Sequence, residues 1–174
     1  LEEAHYNRES VNPSSYPPVI REFMEDWDAH HLFFLDSDAE LFSQKFGEGL
    51  YWNVSTLGNI KPAFEIFQRY EQRAEDRAQW IFNRLEGEFD LESSDEYVTD
   101  RRELEWPKTA ESADDVWEKR LRFELIQEML NEHELAEAKE RVRKRYERML
   151  KNLSDIETHE IAEVFLTNIA KLYD

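Results

Sequence analysis

The chain has 174 residues, of which 40 are acidic and 22 are basic, and its formal charge is −18 at pH 7. This charge repels phosphate backbones and anionic lipid headgroups, so neither nucleic acid nor a membrane surface is expected as a partner. Hydrophobic residues make up 40% of the chain and aromatic residues 13%, which excludes a disordered polypeptide. We therefore predict one packed domain over residues 1–174.

The chain contains no cysteine, which excludes disulfides, thiolate nucleophiles and thiolate metal ligands but fits either redox compartment. No apolar run approaches the roughly 18 residues that span a bilayer, and no signal peptide opens the chain. Because it starts at Leu1 rather than Met and ends in an apolar helical pattern, we expect a segment of a longer protein. The missing targeting sequence then gives no information about the compartment of the parent protein.

Only four glycines occur, and alternation typical of strands is hard to find, so we predict an all-α domain of about five to seven helices with one long irregular loop. The first helix is predicted to start at residues 15–18 and to end near Asp28. Ser37 and Glu40 form a predicted capping box for a second helix that stops at Gly47.

Pro62 opens the longest apolar pattern, which runs to Gly87 and predicts a long helix with one buried face. Residues 88–111 lose this periodicity and are predicted to form a long loop that contains Trp106-Pro107. We expect this loop to dock on the helices, because Trp106 can bury a large area and Pro107 lowers the entropy lost on docking. Partly buried charges of residues 100–102 could anchor it.

Three further helices are predicted after the loop. The first has a capping box of Ser112 and Asp115 and runs to about Asn131. The second, over residues 135–153, repeats apolar residues at steps of three and four like a coiled-coil seam. The last follows a capping box of Ser154 and Glu157. The predicted core comprises Phe23, Trp27, Phe67, Tyr70, Ile81, Trp117, Leu121, Ile126, Val142, Met149, Phe165 and Ile169.

Three patterns resemble metal sites in part. His159-Glu160 is half of an HExxH motif, but position 163 is Glu, so a solvated helix start is favoured. Asp28 and His31 could present a carboxylate and an imidazole from one turn, but such di-metal sites need the pair twice. Residues 90–95 resemble a calcium loop only in composition. We therefore predict no metal and no cofactor, and we expect His30, His31 and His133 to be exposed or packed.

Common catalytic signatures are absent: the chain has no Gly-x-Ser-x-Gly elbow and no phosphate loop, and Gly47 and Gly49 lack a third glycine at Trp52. One basic cluster stands out, at Lys139, Arg141, Arg143, Lys144, Arg145, Arg148 and Lys151. Glu137, Glu140 and Glu147 interleave with it at helix-pair spacings, which favours a solvated, salt-bridged face over a binding patch. We predict no catalytic residue in this segment.

Several landmarks in order along the chain resemble the N-terminal helical domain of tail-specific proteases, also called C-terminal-processing peptidases. They are His5-Tyr6, residues 32–38, the pattern over 64–85, Asp100-Arg101, Trp106-Pro107-Lys108, Val116-Trp117, residues 122–125, Arg145-Tyr146 and residues 172–174. Asp174 is similar to the first residue of the Asp-Pro-His stretch that precedes the family's PDZ domain.

The resemblance implies that the parent protein is a bacterial, periplasmic serine endopeptidase with a Ser-Lys dyad that recognises apolar C-terminal tails. The dyad, the PDZ domain and the protease core would all follow residue 174, so no catalytic position carries over to this segment. The implied partners are these downstream domains, protein substrates with apolar tails and, as in some relatives, an adaptor protein. The expected role is to support the protease body and to dock substrate or adaptor.

Two alternatives remain open from the sequence. The first is a free-standing helical interaction module whose seam over residues 135–153 binds a partner helix. The second is a carboxylate-bridged metal enzyme, which rests only on the acidic helices and on the Asp28 and His31 pair.

Overall fold

A computed structural model of the protein describes residues 11–174, and these residues contain six α-helices and no β-strand. The helices are α1 (Pro18–Trp27), α2 (Asp36–Phe46), α3 (Lys61–Leu85), α4 (Ala110–Leu130), α5 (Leu135–Ser154) and α6 (Thr158–Lys171). A 3-10 turn (Pro13–Ser15) precedes them, and a π-helical segment (Trp52–Thr56) lies between α2 and α3. The predicted all-α fold is confirmed, whereas His5-Tyr6 lies outside the described residues.

Helix α3 joins two apolar cores. At 25 residues it is about 37 Å long, because an α-helix rises about 1.5 Å per residue. Its first half packs with α1, α2 and α6 in one core, and its second half packs with α4 and α5 in the other. Phe33 and Met149 border both cores. The long apolar pattern from Pro62 therefore organises the whole described fold.

The predicted capping box of α2 is wrong. The helix begins at Asp36, so Ser37 lies inside its first turn. Instead, the carboxylate of Asp38 accepts a 2.9 Å hydrogen bond from the backbone N–H of Leu35. An acidic side chain in the first turn also interacts favourably with the positive end of the helix dipole. At its other end α2 stops before Gly47, as predicted.

The predicted capping boxes of α4 and α6 are also wrong. The hydroxyl of Thr109 accepts from the Ser112 N–H at 3.1 Å, and the Ser112 hydroxyl accepts from the Thr109 N–H at 3.1 Å, so α4 starts one turn earlier than predicted. Ser154 is the last residue of α5, and the Glu160 carboxylate caps α6 by accepting from the Glu157 N–H at 2.6 Å. Apolar periodicity specifies the buried face of a helix but not its first residue.

Nine of the twelve predicted core residues are buried; Trp27, Ile126 and Met149 are only partly buried. Sequence reasoning missed Tyr16, Phe34 and Leu50, which are also buried. The seam over residues 135–153 faces inward, since Ala138, Val142 and Tyr146 pack against α3 and α4. Of its apolar residues, Leu135 and Met149 remain partly exposed.

Candidate functional site

Asp28 is the buried polar centre of the first core. It follows α1 as the C-cap residue, and it is 3% exposed. Its carboxylate accepts hydrogen bonds from the backbone N–H groups of Leu32 (2.8 Å), Phe33 (2.9 Å) and Phe34 (2.9 Å). The indole Nε1 of Trp106 donates a fourth bond at 2.9 Å. Four donors compensate for burial of the negative charge.

The loop between α3 and α4 is docked, as predicted. Trp106 is 1% exposed, and its ring lies 4.2 Å from the ring of His31 and 5.9 Å from that of Phe34. The backbone carbonyl of Pro107 accepts a 2.9 Å hydrogen bond from Asp36 N–H at the start of α2. The loop thus closes over the connection between α1 and α2.

The charges before Trp106 behave differently from one another. Arg101 is 7% exposed, and its closest hydrogen bond is a long one of 3.5 Å to the carbonyl of His31. Its burial lowers the pKa of the guanidinium. Arg102 instead forms an exposed ion pair with its neighbour Asp100 at 2.6 Å, which contributes little to docking. Only Arg101 of the three therefore packs into the domain.

His31 and Asp28 lie close together at the turn after α1, and all but one of their side-chain polar atoms form hydrogen bonds within the fold. His31 is buried, and its Nδ1 hydrogen-bonds the backbone carbonyl of Leu104. Its Nε2 lies 3.4 Å from a carboxylate oxygen of Glu25. His31 adopts φ of 53°, a left-handed conformation that a non-glycine residue holds only where its surroundings enforce it. The Asp28 carboxylate and the His31 Nδ1 therefore shape the turn after α1, whereas the buried His31 Nε2 has no hydrogen-bond partner among the described residues.

The other histidines of residues 11–174 are exposed or partly exposed. His30 is half exposed, 3.8 Å from Asp100, and His133 lies 3.1 Å from Glu137. His159 is exposed beside Glu157, at 3.1 Å, so the His159-Glu160 pair sits at a helix start as expected. In residues 11–174 there is no cluster of three or more His, Asp or Glu side chains that could hold a metal ion.

The acidic segment at residues 90–95 borders a small cavity of about 110 Å³ with Tyr97, Lys119 and Phe123. Asp95 pairs with Arg122 of α4 at 2.8 Å, and this guanidinium lowers the pKa of the Asp95 carboxyl. Amide N–H groups of Glu92 and Asp95 bond the side chains of Asp90 and Ser93. The segment is thus a hydrogen-bonded loop tied to α4 by an ion pair.

Two arginines of the basic cluster of α5, Arg141 and Arg145, form salt bridges, but to a different helix than predicted. Arg145 donates to Glu124 (3.2 Å) and Glu128 (2.7 Å), and Arg141 donates to Glu128 (2.8 Å). Both glutamates belong to α4 and are 8% exposed. Tyr146 of α5 also donates to Glu124 at 2.7 Å. The arginines therefore hold α4 to α5 rather than bracing one helix surface.

An apolar groove lies between the second half of α5 and the helices α1 and α3, with a cavity volume of about 580 Å³. Its apolar lining consists of Trp27, Tyr70, Met149, Leu153 and Ile156, and its polar lining consists of Arg145, Arg148 and Asn152. Burial raises the pKa of the Tyr70 phenol, as does the charge of Asp28, so this wall is uncharged at neutral pH. Volumes of this size are typical of ligand pockets.

Sequence reasoning did not predict this groove. Arg148 and Asn152 are four residues apart and flank the seam positions Met149 and Leu153, so the α5 edge of the groove had a signal in the helical spacing. The sequence contains no signal for the opposite wall, because Trp27 and Tyr70 come together there only through the packing of α1 and α3.

These features define an all-helical domain with two cores, a clamped loop and one apolar groove. Residues 1–174 match the tail specific protease N-terminal domain family, and the chain belongs to that family. The chain is similar to a tail-specific protease of Haemophilus influenzae, with 25% identity over 174 residues. The matched region covers 100% of this chain and 25% of that relative, so the chain spans about a quarter of the relative's length.

None of the described helices has the length and apolar character needed to cross a membrane.

Proposed function

We propose that this chain is the non-catalytic N-terminal domain of a bacterial, periplasmic tail-specific serine endopeptidase. The observation that carries the proposal is the family match over the whole chain, combined with coverage of only a quarter of the protease relative. The Ser-Lys dyad, the PDZ domain and the protease core would then lie in the part of the parent protein that follows residue 174.

The proposal places no catalytic hydroxyl or base in this chain. A serine protease needs an activated hydroxyl with a base within hydrogen-bond reach. Among residues 11–174, no serine hydroxyl is hydrogen-bonded to a lysine amine or a histidine ring. The buried polar groups Asp28, Glu124 and Glu128 are instead committed to holding loops and helices together. The domain supports the protease body and offers its groove for docking.

The proposal is tested by comparing residues 1–174 with the parent protein in cleavage of a substrate that ends in an apolar tail. The parent should cleave the tagged substrate, and the isolated chain should not. The coding sequence beyond residue 174 should encode a PDZ domain and a protease core. Cleavage by residues 1–174 alone that is abolished by one point mutation within them would overturn the proposal.

A further inference from the structure

Arg101 is the only lysine or arginine that is buried among residues 11–174, with 7% of its surface exposed. Burial of a charge is unfavourable unless hydrogen bonds or an opposite charge compensate for it. The buried carboxylates meet this condition, because each accepts hydrogen bonds from at least two other residues; they are Asp28, Asp38, Glu124 and Glu128. The buried cation has no comparable set of partners.

The guanidinium of Arg101 forms one hydrogen bond with a described residue, a long one of 3.5 Å from Nη2 to the backbone carbonyl of His31. Its Nε is buried and has no acceptor, whereas Nη1 has no acceptor but is not fully enclosed. The charge of Asp28 attracts the guanidinium from a distance and that of Arg120 repels it. Neither forms an ion pair or hydrogen bond with it, so the described residues leave the charge of Arg101 uncompensated.

Apolar side chains are exposed close to Arg101 in the loop. Val98, three residues before it, is 52% exposed, and Leu104, three residues after it, is 39% exposed. The N–H of Leu104 donates a 3.0 Å hydrogen bond to the carbonyl of Arg101, which closes a turn and keeps these two residues together. A ligand at Arg101 therefore meets apolar surface beside the cation.

The surrounding charges limit which anion fits. Glu103 and Glu105 are exposed on either side of Leu104, and Asp28 is buried nearby, so an anion with two charges is repelled more than a monoanion. A halide has one charge but only one acceptor atom and no apolar part. The planar fork of an arginine matches the two oxygens of a carboxylate, whose carbon atoms can contact Leu104.

From these features we infer that Arg101 is the binding site of a carboxylate supplied from outside this chain. The carboxylate oxygens accept hydrogen bonds from Nη1 and Nη2, and the attached carbon atoms contact Leu104 and Val98. The carboxylate belongs either to a small organic acid or to an Asp or Glu side chain elsewhere in the parent protein. The chemistry at Arg101 is the same for both sources, and it does not depend on the proposed protease function.

The first experiment detects the site directly. The Nε–H signals of the arginines of isotope-labelled residues 1–174 are followed by NMR at neutral pH, while sodium acetate replaces sodium chloride at constant ionic strength. The signal of Arg101 is assigned by its loss in Arg101→Met. It should shift saturably with a Kd below about 20 mM, and sodium sulfate at the same ionic strength should shift it less.

Thermal denaturation of residues 1–174 in the same salts uses one matched control. Acetate at about 100 mM, in place of chloride, should raise the Tm of the wild type by about 2 to 4 °C more than that of Arg101→Met. Arg102→Met removes the same charge from the next residue, which is exposed and already paired with Asp100, so this variant should respond to acetate as the wild type does. In chloride, Arg101→Met should not lower the Tm, because it removes an uncompensated buried charge.

The parent protein distinguishes the two sources of the carboxylate. If another part of the parent supplies it, Arg101→Met should lower the Tm of the parent in chloride by at least about 2 °C, and acetate should add no stability to the wild-type parent. If a free organic acid is the ligand, Arg101→Met should not lower the Tm of the parent in chloride. Acetate should then stabilise the wild-type parent as it stabilises residues 1–174.

The inference is overturned if acetate and chloride give the same Arg101 signal in residues 1–174, if acetate stabilises the wild type and Arg101→Met equally, or if Arg102→Met loses the acetate response as well. A Tm of Arg101→Met more than about 4 °C below that of the wild type in chloride also overturns it, because the guanidinium would then be satisfied within this chain. Cleavage of a tailed substrate by the parent protein tests the proposed function separately.

Discussion

The indole Nε1 of Trp106 donates a 2.9 Å hydrogen bond to Oδ2 of Asp28, across 78 residues of sequence. Both side chains are buried, and the same carboxylate receives the backbone N–H groups of Leu32, Phe33 and Phe34. One charge therefore ends α1, shapes the turn before α2 and fixes the loop before α4. The loop that looked least structured in the sequence is tied to a buried carboxylate of the first core.

Asp28→Asn should lower the free energy of unfolding by about 3 kcal/mol. The Asn amide keeps one acceptor oxygen. Its NH2 group replaces the other carboxylate oxygen and faces N–H donors that bond that oxygen in the wild type. Chemical denaturation measures the loss. Asp115→Asn is the matched control, because Asp115 is exposed on α4, and it should change stability by less than about 0.5 kcal/mol. Equal effects of the two variants would contradict the role of Asp28.

Trp106→Ala should lower stability by about 3 to 5 kcal/mol and expose the loop to trypsin at Arg101, Arg102 and Lys108. Trp106→Phe keeps most of the apolar contact but loses the bond to Asp28, so its cost should be about 1 to 2 kcal/mol. Limited proteolysis under native conditions reports loop release. Rapid cutting at these sites in the wild-type chain, at a rate that Trp106→Ala does not alter, would refute the clamp.

Acid should weaken the attachment of α2 to α3 through Asp38. Burial alone would raise the pKa of this carboxyl, but bonds from Arg73, the Leu35 N–H and Arg69 outweigh burial and lower it. The stabilisation is therefore complete above the ordinary carboxyl pKa of about 3.9 and is lost as pH falls through the lower folded-state pKa.

Asp38→Asn should accordingly cost about 2 kcal/mol at neutral pH and should reduce the loss of stability on acidification below about pH 4. Urea titrations of both proteins at neutral and acidic pH measure the difference. An acid dependence that is identical in the variant and the wild type would show that Asp38 contributes nothing in this range.

A double-mutant cycle on Glu128 and Arg145 should give a coupling energy of about 1 to 2 kcal/mol, because their 2.7 Å ion pair joins α4 to α5 at a buried carboxylate. Glu140 and Lys144 have ideal spacing for a pair within α5 but form no ion pair in the described structure, so their coupling should stay below about 0.5 kcal/mol. A larger coupling energy for Glu140 and Lys144 would contradict this prediction and support the pairing within α5 that the sequence suggested.

Phe165→Ala should cost about 3 to 5 kcal/mol, since Phe165 is fully buried on α6 and its ring packs edge-on at 5.2 Å from that of Phe23. Leu166→Ala, at the next position, should change stability by less than about 0.5 kcal/mol because Leu166 is 45% exposed. Thermal denaturation of both variants tests the orientation of α6. A cost below about 0.5 kcal/mol for Phe165→Ala would show that this face meets solvent.

Helix content and most buried faces could be predicted from the sequence, because residues three and four apart share a helix face whatever the rest of the chain does. The pattern from Pro62 predicted α3 and the burial of Phe67 and Ile81, and the Trp106-Pro107 pair predicted a docked loop. The order of landmarks indicated the family. These inferences depend on local spacing or on the order of residues along the chain.

Only the tertiary structure decided which polar groups are buried and what they bind. Asp28 looked like an ordinary helix end, because three of its four donors lie beyond the helix and the fourth is 78 residues away. Glu124 and Glu128 of α4 are buried where Arg145 of α5 packs against them. The groove likewise exists only where α1, α3 and α5 meet. Burial of a charge depends on partners distant in sequence, and helical periodicity carries no information about them.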